Sequence, residues 1–98
     1  MQFIITAHDG EGKLEKRLEV RSRHLKNLSE VKAKVLCAGG LLDAEGKMKG
    51  SVIVMDIESR EALDRYLASE PYIIEGVWEK VGVERMNVVL LNGEKVGG

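Results

Sequence analysis

Residues 1–7 (MQFIITA) are apolar on both alternating sides of an extended chain, a pattern suited to a strand covered on two faces. Any fold for this chain must therefore pack something above and below its first strand. Residues 8–12 (HDGEG) end the run with turn chemistry. From 13 to 35 the period lengthens to helical: Leu14, Leu18, Leu25, Leu28 and Val35 share a stripe that Arg21 interrupts. With Ser22 as an N-cap, this predicts a short helical turn near 13–19 and a main helix near 22–36.

Residues 37–42 form a glycine-rich entry into a short strand, and 43–47 a hairpin loop with a glycine for positive φ. Residues 49–57 return as a strand. Ser59 caps a second helix whose apolar stripe is Ala62, Leu63, Tyr66 and Leu67. Glu70-Pro71 ends it, because the residue before proline is pushed out of the α region. Residues 72–76 make a turn or one short helix. The last strand runs over 77–91, with Val77, Val81 and Val83 on one face and Trp78, Met86, Val88 and Leu90 on the other; the switch near Gly82 predicts a bend or bulge.

The order β-α-β-β-α-β predicts a ferredoxin-like α+β sandwich, four antiparallel strands with both helices on one face. At 98 residues there is room for one domain, assigned to 1–91, with a polar C-terminal tail over 92–98. The first, third and fourth strands read as apolar on both faces, which a lone sandwich would leave wet. A second copy is the natural cover, so the expectation is a homodimer whose two sheets form an α+β barrel.

Charge and motifs narrow the function. Lys and Arg total 15 against 16 Asp and Glu, a formal net charge of -1, so a nucleic-acid partner is not expected. Apolar runs stay far below the roughly 20 residues that span a bilayer, and the N-terminus lacks the basic region of a signal peptide. The lone Cys37 has no disulfide partner, which predicts a cytoplasmic protein and a small buried hydrophobe at that position. Two histidines and one cysteine at no recognised spacing predict no metal site, and the lack of a phosphate-binding glycine motif predicts no nucleotide cofactor. The terminal Gly97-Gly98 invites comparison with ubiquitin-like carriers. Those open with a hairpin before their helix, whereas here one strand leads directly into the first helix, so the diglycine reads as an unstructured end.

Two titratable residues stand out. His24 lies in the first turn of the main helix beside Arg21 and Leu28, and Glu70 sits at the rigid break before Pro71. A carboxylate hydrogen-bonded to an imidazole fixes its tautomer and raises the basicity of the other ring nitrogen, the minimum apparatus for moving a proton. The plain alternative is a helix histidine and a surface glutamate. Arg21 either pairs with a carboxylate or clamps an anion. Ser51, after Gly50, either faces a pocket or is structural, Asp9 either binds a ligand or caps a turn, and His8 is a loop residue.

Residues 17–25 (RLEVRSRHL), Ala38-Gly39-Gly40, Gly50-Ser51 and residues 70–77 (EPYIIEGV) together resemble the YCII-related family, in the family's order and up to about Val83. The resemblance implies small ferredoxin-like proteins that dimerise through their sheets. It also implies a pairing of the histidine in an R-x-x-H-L block with the aspartate of a D-P-[FY] block as a catalytic dyad. His24 matches the first, Arg21 matches the arginine before it, and Ser51 and Asp9 match polar positions near the family's pocket. The chain departs at the second block, where Glu70 replaces aspartate and lengthens the arm by one methylene. One branch of the family dehydrochlorinates chlorinated hydroxyquinones. The expected function is thus an enzyme without a cofactor, with His24 as general base oriented by Glu70 and with Arg21 and Ser51 stabilising oxyanion charge. The reaction would be elimination or isomerisation on a small cyclic or enolic molecule. The alternative is a non-catalytic module that binds a small ligand, and a structural dimer comes third.

Overall fold

A computed structural model describes residues 1–97. Gly98, half of the expected unstructured diglycine, lies outside them. The elements run β1 (Gln2–Asp9), α1 (Leu14–Glu30), β2 (Lys34–Leu42), β3 (Met48–Asp56), α2 (Arg60–Ser69), α3 (Pro71–Ile74), β4 (Trp78–Arg85), β5 (Leu90–Leu91) and β6 (Glu94–Lys95). The main sheet has the order β2-β3-β1-β4 with every neighbouring pair antiparallel, the ferredoxin-like arrangement. On β1, Phe3, Ile5 and Ala7 are buried, opposite Met55, Ile53 and Ser51 of β3, so one sheet face packs under the helices. Val20 of α1, Leu63 and Tyr66 of α2 and Tyr72 of α3 close that core from above.

Local chemistry explains the turns. Asp43 accepts hydrogen bonds from the backbone N–H groups of Glu45 and Lys47, and Gly46 takes φ 82°, which together close the β2–β3 hairpin. Ser59 caps α2 by accepting from the Ala62 amide. Pro71 occupies the first turn of α3, where its missing N–H costs nothing.

Several expectations need correction. The first helix is one continuous element of 17 residues, not a turn plus a helix over 22–36. The leucine stripe misled: Leu18 and Leu25 are exposed by 60% and 44%, while Arg17, Val20 and His24 form the buried face. Ser22 therefore caps nothing, and residues 34–36 belong to a β2 that is longer than the short strand read from 37–42. The last strand stops at Arg85. Beyond it the chain is tied to β1 by Met86 N–H donating to the Gln2 carbonyl and Val88 N–H to the Gln2 side chain, before the small β5–β6 hairpin turns at Asn92-Gly93.

The bulge also lies elsewhere than Gly82. Asp9 pairs with Trp78 and His8 with Lys80, so Glu79 is the extra residue, and Trp78 joins Val81 and Val83 on the helix side of the sheet. The free face consequently differs from its sequence reading. It carries Ile4 and Thr6 from β1 and Val52 and Val54 from β3, all partly buried, but Lys80, Gly82 and Glu84 from β4. Cys37 is exposed rather than a buried hydrophobe.

Candidate functional site

The buried face of α1 mixes polar and apolar side chains at helical spacing. Arg17, Val20, His24 and the half-buried Leu28 succeed one another every three or four residues, so they stack along one side of the helix above the sheet. Arg17 and His24 are nevertheless only 5% and 7% exposed. Long polar groups so placed need partners, and the end of β1, β3 and the break between α2 and α3 provide them.

The Glu70-Pro71 break places Glu70, fully buried, below His24. Nδ1 of His24 lies 2.7 Å from Oε1 of Glu70. The same Oε1 accepts from the backbone N–H of Tyr72 at 3.1 Å, and Oε2 accepts from the hydroxyl of Tyr66. The Tyr72 ring stacks on the imidazole at 4.2 Å between centroids, and the Trp78 ring meets it edge-on at 6.0 Å. Trp78 Nε1 is buried and has no partner among the described residues. Burial, then the charge of Glu70, pushes the Tyr66 phenol well above the ordinary tyrosine range. Burial also raises Tyr72, against the opposing pull of Arg17 and Arg21.

Beside this group stands a second one that joins Asp9 and Ser51 through Arg17, a residue that sequence reading did not single out. Arg17 donates from Nη1 to both oxygens of Asp9 at 2.9 and 3.1 Å, and from Nη2 to Ser51 Oγ at 2.8 Å. Its guanidinium carbon lies 4.7 Å from the centre of the Tyr72 ring, which links the two groups. Gly50 permits the close strand approach here, since a Cβ on it would lie 2.3 Å from the Ala7 carbonyl oxygen. The signal for Arg17 was its spacing: it lies seven residues before His24 and so shares its helix face.

Between α1 and the β2–β3 edge lies a pocket of about 130 Å³. Arg17, Arg21, His24 and Ser51 supply its polar wall, while Gly39, Gly40, Met48, Leu25 and Leu28 supply much of the rest. Of the residues singled out in the sequence, His24, Arg21 and Ser51 line it, Glu70 backs His24, and Asp9 backs Arg17. His8, at the exposed end of β1, is not among the lining residues. Among the described residues no three His, Cys, Asp or Glu side chains gather as a metal site. Among the described residues no helix is long and apolar enough to cross a membrane.

Fold and site together define a class: a ferredoxin-like α+β protein with a buried histidine–carboxylate contact behind a small pocket rich in arginine. Residues 1–87 match the family described as the YCII-related domain, and the chain belongs to that family. It is 33% identical to Protein YciI of Escherichia coli (strain CFT073) over 92 residues, covering 86% of this chain and 94% of that protein. Among solved structures, the 5-chloro-2-hydroxyhydroquinone dehydrochlorinase (TftG) of Burkholderia phenoliruptrix, in complex with 2,5-dihydroxybenzoquinone, superposes with a TM-score of 0.82 at 29% identity. That match covers 89% of this chain and 94% of TftG. An antibiotic biosynthesis monooxygenase at 16% identity and a TM-score of 0.58 shares the fold alone.

Proposed function

We propose that this chain is an enzyme that abstracts a proton from a small cyclic or enolic molecule, with His24 as general base and Glu70 orienting it. The observation that carries the reading is the contact between Nδ1 of His24 and the buried Glu70 in the wall of a pocket. A carboxylate at Nδ1 holds the proton there and leaves Nε2 as the basic nitrogen. Arg17, Arg21 and Ser51 would stabilise the enolate or phenolate charge that develops as the proton leaves. In the eliminating form, His24 takes the proton, the freed electron pair forms the new double bond, and a leaving group such as chloride departs with its own bonding pair. The imidazolium then returns its proton to water. The likeness to TftG favours this form, and the residues named supply the base and the charge stabilisation without calling on a cofactor.

The protein would work as a homodimer joined through the free sheet face, where Ile4, Val52 and Val54 are only partly covered. It should elute with a mass about twice 10.9 kDa. An exposed lone cysteine suits a reducing cytoplasm.

The direct test offers 5-chloro-2-hydroxyhydroquinone to the protein and to His24→Asn and follows chloride release. Release that depends on His24 supports the reading. Binding of 2,5-dihydroxybenzoquinone with no release from the chlorinated compound would favour the ligand-binding module instead.

A further inference from the structure

Glu70 does more than meet His24. It is fully buried, so its charge depends on donors supplied by the protein rather than by water. Both of its oxygens are engaged: Oε1 by His24 and the Tyr72 N–H, Oε2 by the Tyr66 hydroxyl. Tyr66 is 4% exposed, sits one helical turn before Glu70 on α2, and is not part of the wall of the His24 pocket. It therefore has no route to a molecule in that pocket except through the carboxylate. A glutamate side chain has three rotatable bonds, and fixing one oxygen on an imidazole requires holding the other.

We infer that Tyr66 is a positioning residue, whose hydroxyl holds one oxygen of Glu70 so that the other faces His24. Glutamate rather than aspartate at position 70 is what lets a single carboxylate reach both partners. This inference rests on the reading of His24 as the base and adds the group that sets its partner. The phenol is suited to the task, because burial and the adjacent carboxylate keep it protonated, and hence a donor, throughout the neutral range. The other charged groups that act at this place are Arg17 and Arg21 from α1 and Asp9 from β1, around the Tyr72 phenol of α3.

The experiment is an NMR titration of the His24 ring in the full chain, with Tyr66→Phe, Glu70→Asp and the double variant. His24 is told from His8 by the resonance lost in His24→Asn. Phenylalanine keeps the packed ring and removes only the donor. Losing a donor to the carboxylate disfavours the more negative state of the pair, so the pair takes up its proton more readily. The apparent pKa of His24 should rise in Tyr66→Phe, by about half a unit or more. In Glu70→Asp the shorter arm forfeits Tyr66, so adding Tyr66→Phe should shift the titration no further. An unmoved titration in Tyr66→Phe, or equal shifts in both backgrounds, would overturn the inference. The unmodified protein gives an independent reading, since the Tyr66 hydroxyl proton should change its chemical shift as His24 titrates; indifference to that titration also overturns it. Failure of the base reading looks different: turnover would survive His24→Asn, whatever the titrations show.

Discussion

The helix side of the sheet has two regions of equal burial and opposite chemistry. At one, Phe3, Ile5, Met55 and Leu63 pack with no more than 2% exposure and no polar side-chain atom among them. At the other, Arg17, His24, Ser51 and Glu70 are between 0% and 7% exposed and joined by hydrogen bonds. Burying the first region removes apolar surface from water and stabilises the fold at roughly 25 cal/mol per Å². Burying the second strips water from charges, and the ion pair Asp9–Arg17 offsets that cost only while both partners are present. A fold of this size gains little from the polar region. Its presence beside a pocket is what a site, rather than a core, requires.

The comparison breaks first at Arg17. Arg17→Met leaves Asp9 as an uncompensated buried charge and should cost about 3–5 kcal/mol in denaturant unfolding. Asp9→Asn added to it should recover part of that loss. If Arg17→Met proves neutral, the pair is solvated and the contrast with the apolar region fails.

In the apolar region Ile5→Ala should cost about 2–5 kcal/mol through lost burial and a residual cavity. It should leave the His24 titration unmoved. A shifted His24 would show that the two regions are mechanically coupled.

The tyrosines sharpen the contrast through pH. Tyr66 is raised in the folded state above the ordinary tyrosine value of about 10, so above that pH the unfolded chain ionises first and binds fewer protons. Stability should therefore be whole below pH 10 and fall as pH rises beyond it, by about 1.4 kcal/mol per unit for one such group. Tyr66→Phe should flatten the alkaline limb of the melting-temperature profile. An unchanged limb would assign the loss to other groups.

The smallest effect is expected at His24. Replacing a site histidine by an inert residue commonly leaves stability unchanged or improved. In His24→Asn the amide N–H2 takes the place of Nδ1 and can still donate to Glu70, so the melting temperature should move by less than about 4 °C, while a structural histidine whose loss cost 1 kcal/mol would lower it by roughly 4 °C or more. A large drop would return His24 to the core.

Much of this was readable in particular residues. Ser59, Glu70-Pro71 and the loop around Asp43 act on their own backbone neighbours, so their elements lie where local chemistry puts them. In the first helix the leucine stripe is not the buried face. Arg17 instead turns toward Asp9 and Ser51, and Leu18 turns out. His24 and Glu70 were each recognisable as chemistry-bearing groups, but Tyr66 passed for core because its ring is in the core and only its hydroxyl is not idle.

By itself the sequence determined the order of the main helices and strands, from which the ferredoxin-like sheet was expected, and the turn between β2 and β3. Alternation, caps and proline act over a few residues and need no distant partner. Tertiary structure alone decided which face of α1 is buried, where β4 bulges, and that residues 46 positions apart meet at 2.7 Å. Those outcomes depend on which long-range pairs satisfy a buried charge, and a charge carries no mark in the sequence of the partner it will find.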